Sequence, residues 1–450
     1  MEYKAKVIAG LLTATCVFSI IALILSAVNV KDVFLPPGTK YGLVFDAGST
    51  HTALYVYQWP ADKENGTGIV SQVESCTVNG SGISSYADDP AGAGASLKPC
   101  LAKAMTIIPA EQQRQTPTYL GATAGMRLLR EQNSTKAEQV FAEVTKAIRE
   151  YPVDFRGAQI LTGNEEGSFG WITVNYLLDT LIKFSFAGKW EHPQNTEVLG
   201  ALDLGGASTQ ITFQPGVTIE DKNTSVLFRL YGTNYSLYTH SYLCYGQTQA
   251  LKRLIAALHQ VSQPLGSRIC STISHCHEKC LPENLYTYVE KVVGNWEPPV
   301  RGQFFAFSGF YYTFSFLNLT SQQSLSHVNA TVWDFCNKNW SKLVETFPEN
   351  KEHLHTYCVV GLYILTLLVD GYKFDEHTWS NIHFSQKAGN TDIGWTLGFM
   401  LNLTNMIPTE ALELVKGQQP SLWAGAISFI VLAIVTGLVA ILLQCFWKSK

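Results

Sequence analysis

Two stretches at the ends of the chain restrict its fold more than anything between them. Residues 7–30 read VIAGLLTATCVFSIIALILSAVNV and carry no charge. Residues 422–447, LWAGAISFIVLAIVTGLVAILLQCFW, carry none either. In hydrocarbon a segment must satisfy its own backbone amides, so about 20 apolar residues there form a helix. A cleaved signal peptide is the alternative for the first run. That run exceeds the ~7–15 residues of a leader's apolar core, and Glu2 sits in its basic flank. Two retained spans are the preferred reading. Lys4 and Lys6 precede the first span, and Lys448 and Lys450 follow the second. Basic flanks favour the cytoplasmic side, so residues 1–6 and 448–450 are expected to be cytoplasmic tails. Residues from about 31 to 421 then lie across the membrane.

Two further features fit an extracytoplasmic middle. Sequons at Asn65, Asn79, Asn133, Asn223, Asn234, Asn318, Asn329, Asn339 and Asn402 all fall between the spans. Among the cysteines only Cys16 and Cys445 lie inside the spans, and the rest form an even set, as a disulfide framework requires. Cys76–Cys100 and Cys336–Cys358 are candidate local pairs. Cys244, Cys270, Cys276 and Cys280 leave their pairing open. Zinc is the rival reading for Cys270, Cys276, Cys280, His275 and His277. The absence of paired C-x2-C ligands and the oxidising compartment count against it.

The middle region reads as α/β. Strand-like runs occur at 43–45, 54–57, 118–122, 201–204 and 210–213, with helix-like stretches between them. Thr135 to Glu138 has a capping-box pattern, followed by Val140, Phe141, Val144, Ala147 and Ile148 on one face. Residues 165–184, 247–259 and 353–368 are further expected helices. The Gly-rich stretch 91–95 and the stretch 65–82 read as exposed loops. Hydrophobic residues make up 46% and net charge is −4, which gives ample core and argues against nucleic acid as a partner.

One internal repeat is present. YGLVFDAGSTHTALYVYQW (41–59) and LGALDLGGASTQITFQ (199–214) each run from an apolar strand ending in Asp, through a Gly turn with Ser and Thr, into a second strand. Turn amides can cradle an anion, hydroxyls add donors, and a strand-end Asp can hold a divalent cation or its water shell. Two such turns facing each other would grip a polyphosphate from both sides. Between them, LGATAGMRLL (120–129) ends a strand near Thr123, which could meet a metal-bound water. Its Arg127 reads as a surface or ion-pair residue. GNEEGSFGWITVNYLL (163–178) opens a helix with Glu165 and Glu166. Acids there suit the helix dipole, and either is a candidate base for activating water.

With these residues in view the chain resembles the ecto-nucleoside triphosphate diphosphohydrolases, or ecto-apyrases. DAGSTHT, GATAGMR, GNEEGSFGWIT, DLGGASTQ and DIGWTLGFMLNLTNMIP carry the resemblance, which covers nearly the whole chain. It implies two ribonuclease-H-like lobes of the actin/sugar-kinase superfamily with a nucleotide cleft. Lobe I would span 38–163 with 386–417 returning to it, and lobe II 164–385. It implies Glu166 as the base, with Ser208 and Gln210 positioning the attacking water. Ser49, Thr50, His51, Gly205, Gly206 and Ala207 would bind phosphates. Asp46, Thr123, Asp203 and Trp395 would hold hydrated Ca²⁺ or Mg²⁺. Tyr312 and Tyr357 would stack on the base. Without the resemblance, FSGFYYTFSF (307–316) reads as an apolar core strand. Residues 259–296 match the family pattern least, and Gln247 stands where some relatives have Arg.

The resulting expectation is a multi-pass plasma-membrane ectonucleotidase. It would meet extracellular nucleotides and the bilayer, with self-association through its spans as a further expectation. A phosphotransferase or a non-enzymatic receptor ectodomain are the competing classes. The first would require an added acceptor, and the second would be indifferent to loss of Glu166.

Overall fold

The computed structural model describes residues 2–27, 31–34, 38–62, 68–184, 190–191, 196–262, 298–351, 353–406, 414–417 and 420–448. Asn65, Cys270, Cys276 and Cys280, with His275 and His277, lie outside them, as does nearly all of 259–296. Contacts divide the chain into two units, Met1–Gly38 with Glu410–Lys450, and Thr39–Thr409.

The first unit holds both terminal helices, Glu2–Ala27 and Pro420–Lys448, each long and apolar enough to cross a membrane. They pack together, with Thr15 Oγ1 and Thr436 Oγ1 2.9 Å apart. A third segment, Leu354–Gly371, also has the length and composition of a span. Its Leu354, Val360, Ile364, Leu367 and Leu368 are instead buried in core of the second unit.

The second unit is built on two sheets of related topology. The first contains β1 (Thr39–Ala47), β2 (Thr52–Pro60), β3 (Ser71–Thr77), β4 (Pro117–Ala122) and β5 (Asp154–Ile160), in the order β3-β2-β1-β4-β5. β1 pairs antiparallel with β2 and parallel with β4. The second contains β6 (Gly200–Leu204), β7 (Ser208–Phe213), β8 (Ser225–Leu230), β9 (Thr233–Leu243), β10 (Phe304–Ser308) and β11 (Ile382–Phe384), in the order β8-β9-β7-β6-β10-β11. Again the first strand pairs antiparallel with the second, β7, and parallel with β10. The sequence repeat is therefore a repeat of sheet topology, with β8 added at one edge.

Helices α1 (Pro90–Ile107), α2 (Ala124–Gln132) and α3 (Ser134–Arg149) form a core with the first sheet. Next in the chain come α4 (Gly163–Leu177), α5 (Gln247–Ser262), α6 (Gly309–Phe316), α7 (Leu325–Cys336), α8 (Trp340–Thr346), α9 (Leu354–Thr366) and α10 (Trp395–Met406). α6, α7 and α9 pack on the second sheet. A central core draws on both sheets, through Val44 and Tyr57 on one side and Leu237 and Phe307 on the other, with α4 and α10 between. These helices cross closely, since a Cβ on Gly398 would stand 1.9 Å from the Phe169 carbonyl oxygen. The result is the two-lobed α/β fold of the actin/sugar-kinase type.

Several local expectations are corrected. Residues 91–95 are helical, not loop. Asp89 accepts from Gly92 N at 3.1 Å, Pro90 starts α1, and Gly94 packs where a Cβ would be 2.6 Å from the Glu143 carbonyl oxygen. α3 is capped by Asn133, accepting from Lys136 N at 3.0 Å, rather than by Thr135 and Glu138. Much of the expected loop 65–82 is β3, paired with β2. α4 ends at Leu177, short of Phe184, and Asp179 then takes a left-handed φ of 55°. FSGFYYTFSF is the end of β10 followed by helix α6, not one strand.

Candidate active site

Both strand-end aspartates sit at equivalent places. Asp46 faces Ala53 across the first hairpin and Asp203 faces Gln210 across the second. Each lies at the carboxyl end of a strand with a parallel neighbour, where open α/β sheets bind ligands. The turns meet: a Cβ on Gly206 would lie 2.5 Å from Thr50 Cγ2 and 2.7 Å from Ser49 Oγ. Glycine there leaves room for the Ser49 and Thr50 side chains of the facing turn. The start of α5 straps the second turn, with Gln247 N and Thr248 N donating to the Gly205 and Gly206 carbonyls at 2.9 Å. Thr123 N donates to the Ala47 carbonyl at 3.1 Å, which holds Thr123 beside the first hairpin.

Asp46 and Asp203 are partly buried and Glu166 is buried. Burial pushes the Asp46 carboxyl up to about 7; Trp395 offsets part of that, and Glu166 adds repulsion. Burial, then repulsion from Glu166, push Asp203 up to about 8, against a hydrogen bond from Ser308. Ser308 adopts a left-handed φ of 57° at the junction of β10 and α6, a strained conformation for serine. Although Trp395 lies toward Asp46, neither Asp46 Oδ1 nor Trp395 Nε1 has a well-formed hydrogen bond. Among the described residues no three Asp, Glu, His or Cys side chains converge for direct metal ligation.

The two glutamates opening α4 are put to different uses. Glu165 is exposed and closes a capping box: its Oε2 accepts from Thr162 N at 2.8 Å and Thr162 Oγ1 at 2.9 Å. Glu166 points inward and is buried. Burial raises its pKa, and Arg127 opposes the shift. Its Oε2 accepts from Arg127 Nη2 at 2.8 Å and Gln210 Nε2 at 3.1 Å. Ser208 Oγ accepts from the same two donors, at 3.0 and 2.8 Å. Gln210 Nε2 also reaches Ser241 Oγ at 3.0 Å, while Gln210 Oε1 is buried without a partner.

Glu166, Ser208 and Gln210 are thus brought together between the two hairpins. Arg127, expected as a surface or ion-pair residue, is an ion pair with Glu166, and its side chain is only 11% exposed. Its contact with Ser208, and the parts of Ser241 and Ser308, were not anticipated. Arg127 follows Thr123 by one helical turn within GATAGMR, which was the available signal; Ser241 and Ser308 carried none.

The residues expected at the base are less closely assembled. Tyr312 is half-exposed, and its hydroxyl accepts from Gln386 Nε2 at 2.7 Å. Tyr357 stacks on Phe316 with ring centres 3.8 Å apart, so one of its faces is occupied. Among the described ring contacts none joins Tyr312 to Tyr357. Cys358 beside it is bridged to Cys336, and Cys76 to Cys100. Cys244 is also disulfide-bonded.

Two hairpins of one register, one from each of two duplicated sheets, thus meet beside a buried carboxylate. Residues 33–298 and 291–418 match the GDA1/CD39 (nucleoside phosphatase) family, and the chain belongs to it. It is an enzyme of the nucleoside triphosphate diphosphohydrolase type. Gallus gallus ectonucleoside triphosphate diphosphohydrolase 8 is 81% identical, with all of both chains covered. The Homo sapiens protein of that name is 48% identical over 99% of each chain, and Mus musculus ectonucleoside triphosphate diphosphohydrolase 2 is 41% identical over 94% of each. The solved nucleoside triphosphate hydrolase of Neospora caninum shares the fold, with a TM-score of 0.52 at 12% identity, covering 89% of this chain and 95% of its own. The chicken comparison spans 493 residues against 450 here, so it opens gaps in this chain. The two family matches overlap over 291–298.

Proposed function

We propose that this chain is a cell-surface ectonucleotidase. It would hydrolyse extracellular nucleoside tri- and diphosphates (ATP, ADP, UTP, UDP) to monophosphate and phosphate. The observation that carries this reading is the buried cluster of Glu166, Ser208 and Gln210 between the two turns. Bonds to Glu166 Oε2 occupy that oxygen, which leaves Oε1 to accept a proton from water. Gln210 Oε1, buried and unpartnered, can accept the water's other proton. Ser208 accepts two hydrogen bonds, so its own proton can be donated to the water. A water held this way keeps one lone pair for in-line attack on the terminal phosphorus. Glu166 takes its proton as the bond to the leaving phosphate breaks. No covalent enzyme intermediate is needed, and a diphosphate can react after moving one phosphate along the same cleft.

The lobes of this reading are 38–163 with 386–417, and 164–385. Ser49, Thr50, His51, Gly205, Gly206 and Ala207 cradle the phosphates. Tyr312 and Tyr357 offer the base its stacking faces. Asp46, Thr123, Asp203 and Trp395 fit a hydrated Ca²⁺ or Mg²⁺, because Asp46 Oδ1 is buried and orphaned and two raised carboxylates favour a neighbouring cation. Such a cation, when bound, offsets charge on the transferred phosphoryl group.

The test is phosphate release from ATP and ADP added outside intact cells expressing the full chain, with Ca²⁺, Mg²⁺ or chelator and no added acceptor. Release that is abolished by chelator is expected, and Glu166→Gln should cost roughly 10²–10⁴-fold. Chelator-resistant release would overturn the metal reading. A full rate in Glu166→Gln would overturn the base.

A further inference from the structure

We infer that Arg127 is a positioning residue for the hydrolytic centre, acting through Glu166 and Ser208; the inference rests on the function proposed above. Arg127 Nη2, Glu166 Oε2, Gln210 Nε2 and Ser208 Oγ form a closed ring of four hydrogen bonds, at 2.8, 3.1, 2.8 and 3.0 Å. Two donors alternate with two acceptors, so each acceptor is filled from both sides. Arg127 itself is tied down by Nη1, which donates to the Leu161 carbonyl at 3.1 Å. That carbonyl lies between β5 and α4. Glycine at 163 keeps the passage open, since a Cβ there would be 3.3 Å from Arg127 Nη1 and 2.2 Å from Ser241 Oγ. Arg127 thus joins α2, the end of β5, α4 and β7 at one point.

The ring settles which way each group faces. A guanidinium only donates, so Arg127 cannot compete with the water as a proton acceptor. Gln210 Nε2 has two protons for three acceptors, Glu166, Ser208 and Ser241, so the Nη2 bond of Arg127 is what keeps a Ser208 lone pair occupied and its proton turned away from the ring. Without it, Ser208 regains a lone pair and its hydroxyl can rotate. Its proton would then be free to leave the water, which would lose one of its three contacts. The side chains of Arg127 and Glu166 are only 11% and 9% exposed, so bulk water does not substitute for the lost donor. Lysine carries the charge but cannot hold the Leu161 carbonyl and the ring together with a planar fork.

Arg127→Met, Arg127→Lys, Glu166→Gln and the Arg127→Met/Glu166→Gln double variant of the full chain test this by kcat and KM for ATP. Arg127→Met should lower kcat on the order of 10²-fold with little change in KM, as for a misplaced reacting group. Arg127→Lys should recover part of that loss. In the Glu166→Gln background Arg127→Met should add almost nothing, because the two act as one unit. Raised KM at native kcat would overturn the inference, and so would losses that multiply in the double variant. If Arg127→Met fails to reach the surface, Arg127→Lys decides: native kcat overturns the inference, and a loss that vanishes in Glu166→Gln supports it. A full rate in Glu166→Gln would instead remove the base assignment, a separate result.

Discussion

Glu165 and Glu166 differ by one position and one face of a helix, and their environments separate them. The first spends its carboxylate on Thr162, the second is turned into the cleft. The residues alone identified the pair but not the division, which only the resemblance supplied, because capping depends on where the helix begins. Asp46 and Asp203 carry a pH signature. Their folded pKa values, about 7 and about 8, lie above those of the unfolded chain, so the folded state binds more protons between about pH 4 and 8. Without metal, stability should therefore fall as pH rises through that window and level off above it. A divalent cation favours the ionised pair, so the rise in thermal midpoint on adding Ca²⁺ should grow from about pH 5 to pH 8. Thermal scans with Ca²⁺ and with chelator check this; an increment independent of pH would count against the acid pair. Thr123 was legible from its place at a strand end, whereas His51 and Trp395 were legible only as parts of family blocks, since no spacing rule predicts a side chain supplied from a distant segment.

Among elements, the two hairpins are the most informative. Their register is the same, with Ala47 opposite Thr52 and Leu204 opposite Thr209. The repeat was visible in sequence because period-two strands and Gly turns are local. Their apposition was not, since it depends on Gly206 meeting Ser49 and Thr50. Gly206→Ala should wedge the turns apart and lower kcat/KM by on the order of 10²-fold, the scale of a ~1 Å misplacement. The thermal midpoint should change far less, because the turn lies outside the three large cores; kinetics with a parallel thermal scan checks this. The misread helices share a cause. α1 and α6 contain Gly or aromatic runs that suggest loop or strand by propensity, and packing against α3 and the second sheet decides otherwise. α10 bears on modification. Asn402 is only partly exposed within it, and Thr404 of the same sequon is buried and donates to the Leu401 carbonyl at 3.1 Å. A glycan there would oppose docking of α10, so Asn402→Gln should leave the chain's mobility on a gel unchanged, whereas Asn133→Gln, at an exposed helix cap, should increase it.

At the scale of the molecule, hydropathy alone revealed the terminal helices, because length and lack of charge are sufficient signals. It also nominates Leu354–Gly371, and only packing shows that this segment belongs to core of the second unit. Tags at either terminus of intact cells should be unreachable by antibody until the membrane is permeabilised, while glycosidase should act from outside. A tag stained without permeabilisation would overturn the proposed topology. The cleft draws on Asp46 near one end of the second unit and Trp395 near the other. A Cβ on Gly121 would lie 2.2 Å from the Trp395 ring, so the first lobe is shaped around a residue that emerges late. A ribosome must therefore translate almost the entire chain before this pocket can close. Until then a nascent polypeptide has its acids and turns but no assembled centre.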